Sequence, residues 1–246
     1  MIALRKMTWV ELKLFLREPL TVVFALVLPL IILVVMSAVF GNTPDPEFYR
    51  GYGPVDFYTP AYIGLVLGAI GVVSIPAHLA GNRERGVLRR FRASSVPLGV
   101  VVGAEALVSL VIALVSSVVL AVCAMLAYGV GAPTSSLLLV AAFLLSALMF
   151  AALGVMLGSL IPTARAAQAA GMLLWFLMLM MGGAGPPPET LTGLLGVLSH
   201  VVPLTYAARL LQEAWLEGGW GWVDAGIVAA IGMAASLVTV RFFRWE

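Results

Sequence analysis

The sequence predicts an all-α polytopic membrane protein with six transmembrane helices, and three observations carry that prediction. Of the 246 residues, 62% are hydrophobic and 11% charged, with a mean hydropathy of +1.07; soluble domains are about one quarter charged. The apolar residues fall in blocks long enough to cross a hydrocarbon core, which takes about 20 residues per helix. Six crossings also place twelve of the fourteen Lys and Arg on one side, the asymmetry expected of an inserted chain. A chain of this length holds roughly six or seven helices with their loops and leaves no room for a separate soluble catalytic domain. It is read as one transmembrane domain, residues 1–246. The single cysteine, Cys123, lies inside an apolar run, which excludes an intrachain disulfide or a thiolate metal site.

In residues 1–18, MIALRKMTWVELKLFLRE, helical spacing brings Lys6, Lys13 and Arg17 within about 40° of one another. This predicts an amphipathic helix lying in the interface, with Trp9 at headgroup depth and the lysine stems snorkelling. The simpler alternative is a basic juxtamembrane anchor. Pro19 ends this helix. The first span, 20–40, is uncharged and about 31 Å long at 1.5 Å per residue. It is followed by no small-residue cleavage site, so it is expected to be retained and not removed as a signal peptide. Pro29 is expected to kink it. The loop 41–58 carries Tyr49, Tyr52, Phe57 and Tyr58, which predict an aromatic belt at the membrane surface.

The second span is expected at 59–80. The third, 98–128, and the fourth, 135–161, are joined by a tight turn at 129–134. A short polar link at 162–165 leads to the fifth span, 166–183. Residues 184–222 are moderately apolar but broken by Pro and Gly, too interrupted for one straight crossing. They predict a re-entrant or interfacial helix pair on the outer side, ending in a belt of Trp215, Trp220 and Trp222. The last span, 223–240, ends before Arg241 and Arg244.

With six spans, both termini and the links 81–97 and 162–165 share a side that bears every Lys and Arg except Arg50 and Arg209. That side is expected to be cytoplasmic, in a cell (plasma or inner) membrane. The opposite side carries Asp45, Glu47, Asp56, Glu189, Glu213, Glu217 and Asp224.

The largest polar island is 81–99, GNRERGVLRRFRASSVPLG, with five of the fourteen Lys and Arg. As a short helix it places Arg85, Arg89 and Arg92 on one side and Val87, Leu88 and Phe91 on the other. Such a surface at a water boundary meets either a soluble partner or lipid headgroups.

The chain has no glycine-rich turn ending in Lys-Ser or Lys-Thr; its only lysines are Lys6 and Lys13. It therefore does not bind and hydrolyse nucleotide through a P-loop of its own. The spans lack the chains of carboxylates or histidines that ion-coupled pumps place at bilayer depth. Glu105 is the main exception and sits near the interface end of the third span, and His78 at the inner end of the second reads as an interfacial histidine. An intramembrane hydrolase is the enzymatic alternative, with Ser159 and His200 as its candidate dyad, but topology puts them about a membrane thickness apart. An ATPase-independent scaffold is the other alternative. The run 171–183, GMLLWFLMLMMGG, holds Met172, Trp175, Phe176, Met178 and Met180. A stripe of this kind suits varied apolar ligands, and equally serves helix packing or lipid contact.

Three stretches resemble the permease subunits of ABC-2 type exporters, a family that includes drug-resistance and polysaccharide export permeases. RERGVLRRFRASSVP resembles that family's loop after the second span, an acidic residue, Gly two on, then Leu, basic residues and Pro. Glu84, Gly86, Leu88, Arg90 and Arg92 match it, although Ser94 and Ser95 displace the proline to Pro97. LREP at 16–19 and PLTYAARLLQEA at 203–214, with Pro203, Tyr206 and Arg209, match in the same order. The resemblance implies an exporter of an amphipathic drug, lipid or lipid-linked molecule, with polysaccharide as the alternative cargo. It implies pairing with a second permease copy or homologue and with two cytoplasmic nucleotide-binding subunits that carry ATP and Mg, this chain holding no cofactor or metal and meeting membrane lipid but no nucleic acid. Glu84, Arg85, Gly86, Val87, Leu88, Arg89, Phe91 and Arg92 would form the coupling helix that docks the ATPase. The substrate path would run between the two permeases, walled by the first, second and fifth spans. Abundant aromatics turned into that path would favour sugar.

Overall fold

The computed structural model describes residues 22–46, 48–86 and 98–242. The expected interfacial helix, with Lys6, Trp9, Lys13 and Arg17, and most of the basic island, 87–97, lie outside them. The described residues are helical, without strands. Six helices are long and apolar enough to cross a membrane. They are α1 (Val23–Phe40), α2 (Pro54–Glu84), α3 (Leu98–Tyr128), α4 (Ser136–Leu160), α5 (Ala164–Met181) and, last in the chain, α8 (Trp222–Phe242). Between α5 and α8 lie two shorter helices, α6 (Gly193–Ser199) and α7 (Pro203–Glu217), bent by 71° to each other.

Two prolines shape the long helices in the same way. α1 opens on a π turn, Val23–Val27, just ahead of Pro29, and α2 contains a second, Ala69–Ser74, just ahead of Pro76. Proline has no N–H to give to the residue four back, and its ring crowds that carbonyl. Widening the ladder, with Leu28 N–H on Val23 O and Ile75 N–H on Ile70 O, absorbs the mismatch without ending the helix. The distortion expected at Pro29 thus takes the form of a π turn.

α2 is the hub. Its most apolar stretch is 89% buried within the chain, and α1, α3, α4, α5 and α7 all pack on it. α8 packs instead on α4 and α7. Close approach comes from glycine. A Cβ at Gly154 of α4 would lie 2.1 Å from Gly71 O, and one at Gly171 of α5 would lie 2.1 Å from Val72 O. Both carbonyls belong to the π turn of α2, so its backbone sits within Cα–H···O range of two neighbours. On the other flank, Gly64 receives Leu204 of α7 and Gly68 receives Met178 of α5.

α2 starts five residues earlier than expected. Pro54 occupies its first turn, and Asn42 Oδ1 accepts the N–H groups of Val55 and Asp56 at 3.0 and 3.4 Å, capping it from the preceding loop. Phe57 and Tyr58 therefore lie inside the helix and are each only 2% exposed. Tyr58 stacks on Tyr62 at 5.7 Å, and Tyr49 leans on Phe57 and Tyr58. Phe57 and Tyr58 are interior packing and not the surface belt expected of them. Trp215 departs likewise: it is buried, with Nε1 donating to Gly131 O at 3.1 Å, while Trp222 is exposed.

α7 climbs along α2, from Leu204 beside Gly64 to Gln212, whose buried Nε2 donates to Phe57 O at 3.1 Å. Arg50 reaches Glu189, ahead of α6, and Glu217, at the close of α7. The bent pair thus leaves and returns at one end of the bundle, which also bears Asp45, Asp56, Glu213 and Asp224. This is the acidic end; Arg83, Arg85, Arg165 and Arg241 mark the opposite, basic end.

Candidate functional site

The joint at the basic end is built from the last turn of α2. Arg85 N–H bonds Gly81 O at 3.0 Å and Gly86 N–H bonds Arg83 O at 2.9 Å. Gly86 has φ 69°, the left-handed region that ends helices where a Cβ would be strained. Four residues of the expected docking segment, 81–84, are therefore helix, and the chain turns out of α2 at Arg85 and Gly86. Arg85 is exposed, its Nη2 on Asn82 Oδ1 at 3.2 Å. Val87, Leu88, Arg89, Phe91 and Arg92 lie outside the described residues.

Arg83 and Glu84 turn toward neighbouring helices. Arg83 Nη1 donates to Ser159 O at 3.0 Å and Nη2 to Ile161 O, two carbonyls at the end of α4 beyond the reach of its own ladder. Glu84 Oε2 accepts the N–H of Ala164, the first residue of α5, at 3.2 Å. Thr163 Oγ1 takes the N–H of Ala166 beside it. A cation thus meets the negative end of α4, and an anion the positive end of α5. The acid-x-Gly pattern at 84–86 acquires a local reason: the acid fastens α5, and the glycine two on stops α2.

The Met-rich helix α5 has two faces. Trp175 is buried, donates from Nε1 to Leu65 O at 3.1 Å and meets Phe24 of α1 edge-on at 5.0 Å. Met178 is buried against Gly68. Phe176 and Met180 point outward with Leu173, Leu174 and Leu177, and Met172 is half-buried. The five residues do not form one surface. The most apolar stretch of α2 is enclosed by its own chain, whereas α1 and α5 keep exposed apolar faces.

At the acidic end, Pro203 starts α7, Tyr206 OH donates to His200 O at 2.6 Å, and Arg209 Nη2 donates to Glu189 Oε1 at 3.0 Å. Glu213, outside the six long spans, has its carboxyl raised above the usual range, chiefly by burial and then by Glu217 and Asp224, with Arg50 opposing. His200 bonds Gly196 O at 2.7 Å, while Ser159 gives its hydroxyl to Met156 O at the basic end. Nothing brings these two together as a dyad. His78 is half-buried on α2, and Glu105 falls in the first turns of α3, where its side chain is not described.

A family model described as ABC-2 type transporter matches residues 3–216. The chain belongs to the ABC-2 type transporter family. None of the curated proteins compared with it matches. The matched region runs from ahead of α1 to the close of α7, so the joint at Arg83 and Glu84, the Met-rich helix and the bent pair all lie within an ABC-2 type transporter membrane domain. The chain is an ABC-type permease, a multi-pass membrane component of a transporter, with no ATP-binding domain evident in it.

Several residues that build this permease escaped the sequence reading. Arg83 reads in the sequence as charge and acts in the structure as a cap. The G-x-x-x-G runs GLVLG at 64–68 and GVMLG at 154–158 were on view, and small residues four apart in an apolar helix signal close helix contact. Asn42 carried a weaker signal, since its capped helix starts twelve residues later and not in its own turn.

Proposed function

We propose that this permease is the membrane-spanning part of an ATP-driven exporter that moves an amphipathic drug, lipid or lipid-linked molecule outward. In this reading the basic end faces the cytoplasm with both termini, and loop 81–97 docks a separate nucleotide-binding subunit. Two such subunits serve a pair of permeases, this chain with a second copy or homologue, and ATP and Mg bind to those subunits. Val87, Leu88 and Phe91 supply apolar contact, while Arg85, Arg89 and Arg92 supply directional pairs to acidic groups.

The observation that carries the reading is the place of the loop. Its residues beyond Gly86 follow directly from the basic end of α2, on which, among the described residues, five other helices pack. A push on the loop reaches the hub and not a peripheral span. The path is assigned to the outward faces of α1 and α5, and the bent pair α6–α7 acts as a re-entrant closure at the outer mouth. Only one aromatic, Phe176, stands among the five large apolar side chains exposed on α5, the rest being Leu173, Leu174, Leu177 and Met180. Such a hydrocarbon face suits an acyl or drug-like surface better than a sugar, which favours stacking on several rings.

The test is copurification from membranes after co-expression with the reading frames neighbouring its gene. A P-loop ATPase at stoichiometric amount is expected, released by Leu88→Asp and weakened by Phe91→Ala while the permease remains inserted. Absence of any P-loop subunit, or equal binding by both variants, overturns the docking assignment.

A further inference from the structure

We propose that Arg83 and Glu84, in the last turn of α2, form a permanent latch, which makes the basic ends of α2, α4 and α5 move as one body when the docking residues beyond Gly86 are pushed. The proposal rests on the reading that these residues receive the ATPase, and goes beyond it by assigning how motion leaves them.

A docking loop hung on α2 alone would deliver force to one helix. Helices in lipid slide against one another unless small-residue packing or polar contacts hold them, because hydrocarbon solvates each as well as its neighbours do. Here both kinds of contact converge on the last three turns of α2. Gly158 lies against Pro76 and Leu79, and Gly81 lies against Ala164. Beyond that packing, adjacent residues of α2 complete the ends of two different helices. The guanidinium fork spans Ser159 O and Ile161 O, and the carboxylate takes Ala164 N–H.

All three bonds are charge-assisted and cross from α2 to the junction of α4 and α5, so they resist separation of the joint and its rotation together. Either residue alone would pin one helix; their adjacency pins the whole 161–164 turn. The left-handed Gly86 then breaks the helix immediately beyond. The helix thus ends between the docking residues and the latch, not between latch and bundle. Glu84 and Arg83 are positioning residues, acting on the transport cycle through the helices they hold.

The structure supplies a covalent mimic of the latch. A Cβ placed on Gly81 lies 3.5 Å from Ala164 Cβ, within the separation that a disulfide spans. The experiment uses the permease–ATPase complex in lipid nanodiscs, in a Cys123→Ser background, and reads ATP hydrolysis stimulated by the permease. Arg83→Ala and Glu84→Ala should each lower that stimulation about two- to thirtyfold, the range of coupling changes along such contacts, with the ATPase subunit still bound. Glu84→Gln, whose amide oxygen still accepts an N–H, should retain more than Glu84→Ala. Oxidising the pair Gly81→Cys and Ala164→Cys should leave stimulation intact and restore it in the Arg83→Ala background. Arrest of the cycle by the disulfide would show that the joint opens during turnover and overturn the latch. Unchanged stimulation in both alanine variants would overturn it as well. Loss of the ATPase subunit from the unaltered permease would instead count against the docking reading, and is seen before any variant is made.

Discussion

α2 and α8 have almost the same mean hydropathy over their most apolar stretches, 2.0 and 1.9, yet 89% of that stretch is buried in α2 and 17% in α8. Hydropathy measures whether a helix leaves water. It does not say whether protein or lipid then surrounds it, because lipid tails are as apolar as leucine. What separates the two helices is shape. α2 carries Gly64, Gly68 and Gly71, a π turn that offers carbonyls sideways, and rings that fill the space around Tyr58 and Tyr62. α8 presents Val223, Met233, Leu237 and Val240 outward, with a Gly226 that nothing approaches within 4 Å.

Glycine substitution should split the two regions most. Gly171→Val sets a Cβ against Val72 O and the Val73 backbone, neither of which is a flexible side-chain end. Because the clash is with backbone, the expected cost is about 4 kcal/mol or more, above the ~1–3 kcal/mol of ordinary core overpacking. It should show as loss of the monodisperse permease on size-exclusion chromatography. Gly226→Ala meets nothing and gains helix propensity, so it should raise the melting temperature, equivalent to about 0.5–1 kcal/mol. Equal tolerance at both sites would mean that α5 does not sit on the π turn of α2.

Truncation of large side chains should give a smaller contrast. Trp175→Ala empties a site between α1, α2 and α5, with an expected loss of about 3–5 kcal/mol. Trp175→Phe removes chiefly the bond to Leu65 O and should cost about 1 kcal/mol. Leu237, 72% exposed on α8, should tolerate alanine within about 0.5 kcal/mol. Melting of the purified variants in one detergent ranks all three. A Leu237→Ala loss as large as that of Trp175→Ala would show that α8 is covered by protein.

The same contrast explains how much could be read in advance. The six spans were legible, with the third matching residue for residue, because span length and charge asymmetry are local and cumulative. Pro and Gly within 184–222 marked that no single straight helix forms there, and α6 and α7 meet at 71°. The start of α2 was misplaced because turn formers and acids at 53–56 resemble loop, while the cap that makes them helix comes from Asn42 across a long connection. Phe57 and Tyr58 were assigned to the surface since an aromatic next to a predicted membrane boundary looks the same whether it faces headgroups or α7. The site divided along the same line. The basic island and Met-rich helix stood out by composition, whereas the opposite turns of Trp175 and Phe176, and the reach of Arg83 and Glu84 to other helices, depend on neighbours more than 70 residues away.

The smallest effect is expected where the chain spends charge on its surface. Arg50 holds Glu189 at 3.4 Å and Glu217 at 3.9 Å, with side chains 44%, 49% and 48% exposed. Exposed pairs of this kind contribute at most about 1 kcal/mol, and Arg209 remains on Glu189 at 3.0 Å if Arg50 is lost. Arg50→Ala should therefore lower the melting temperature slightly, and the difference should vanish near 1 M salt, where the screening length falls to about 3 Å. A much larger loss, or one that salt does not reduce, would mean that the ends of the α6–α7 pair are held by charge. The structure assigns that task to the seating of Leu204 on Gly64 and of Gln212 on Phe57 O, contacts made on the buried hub and out of reach of salt.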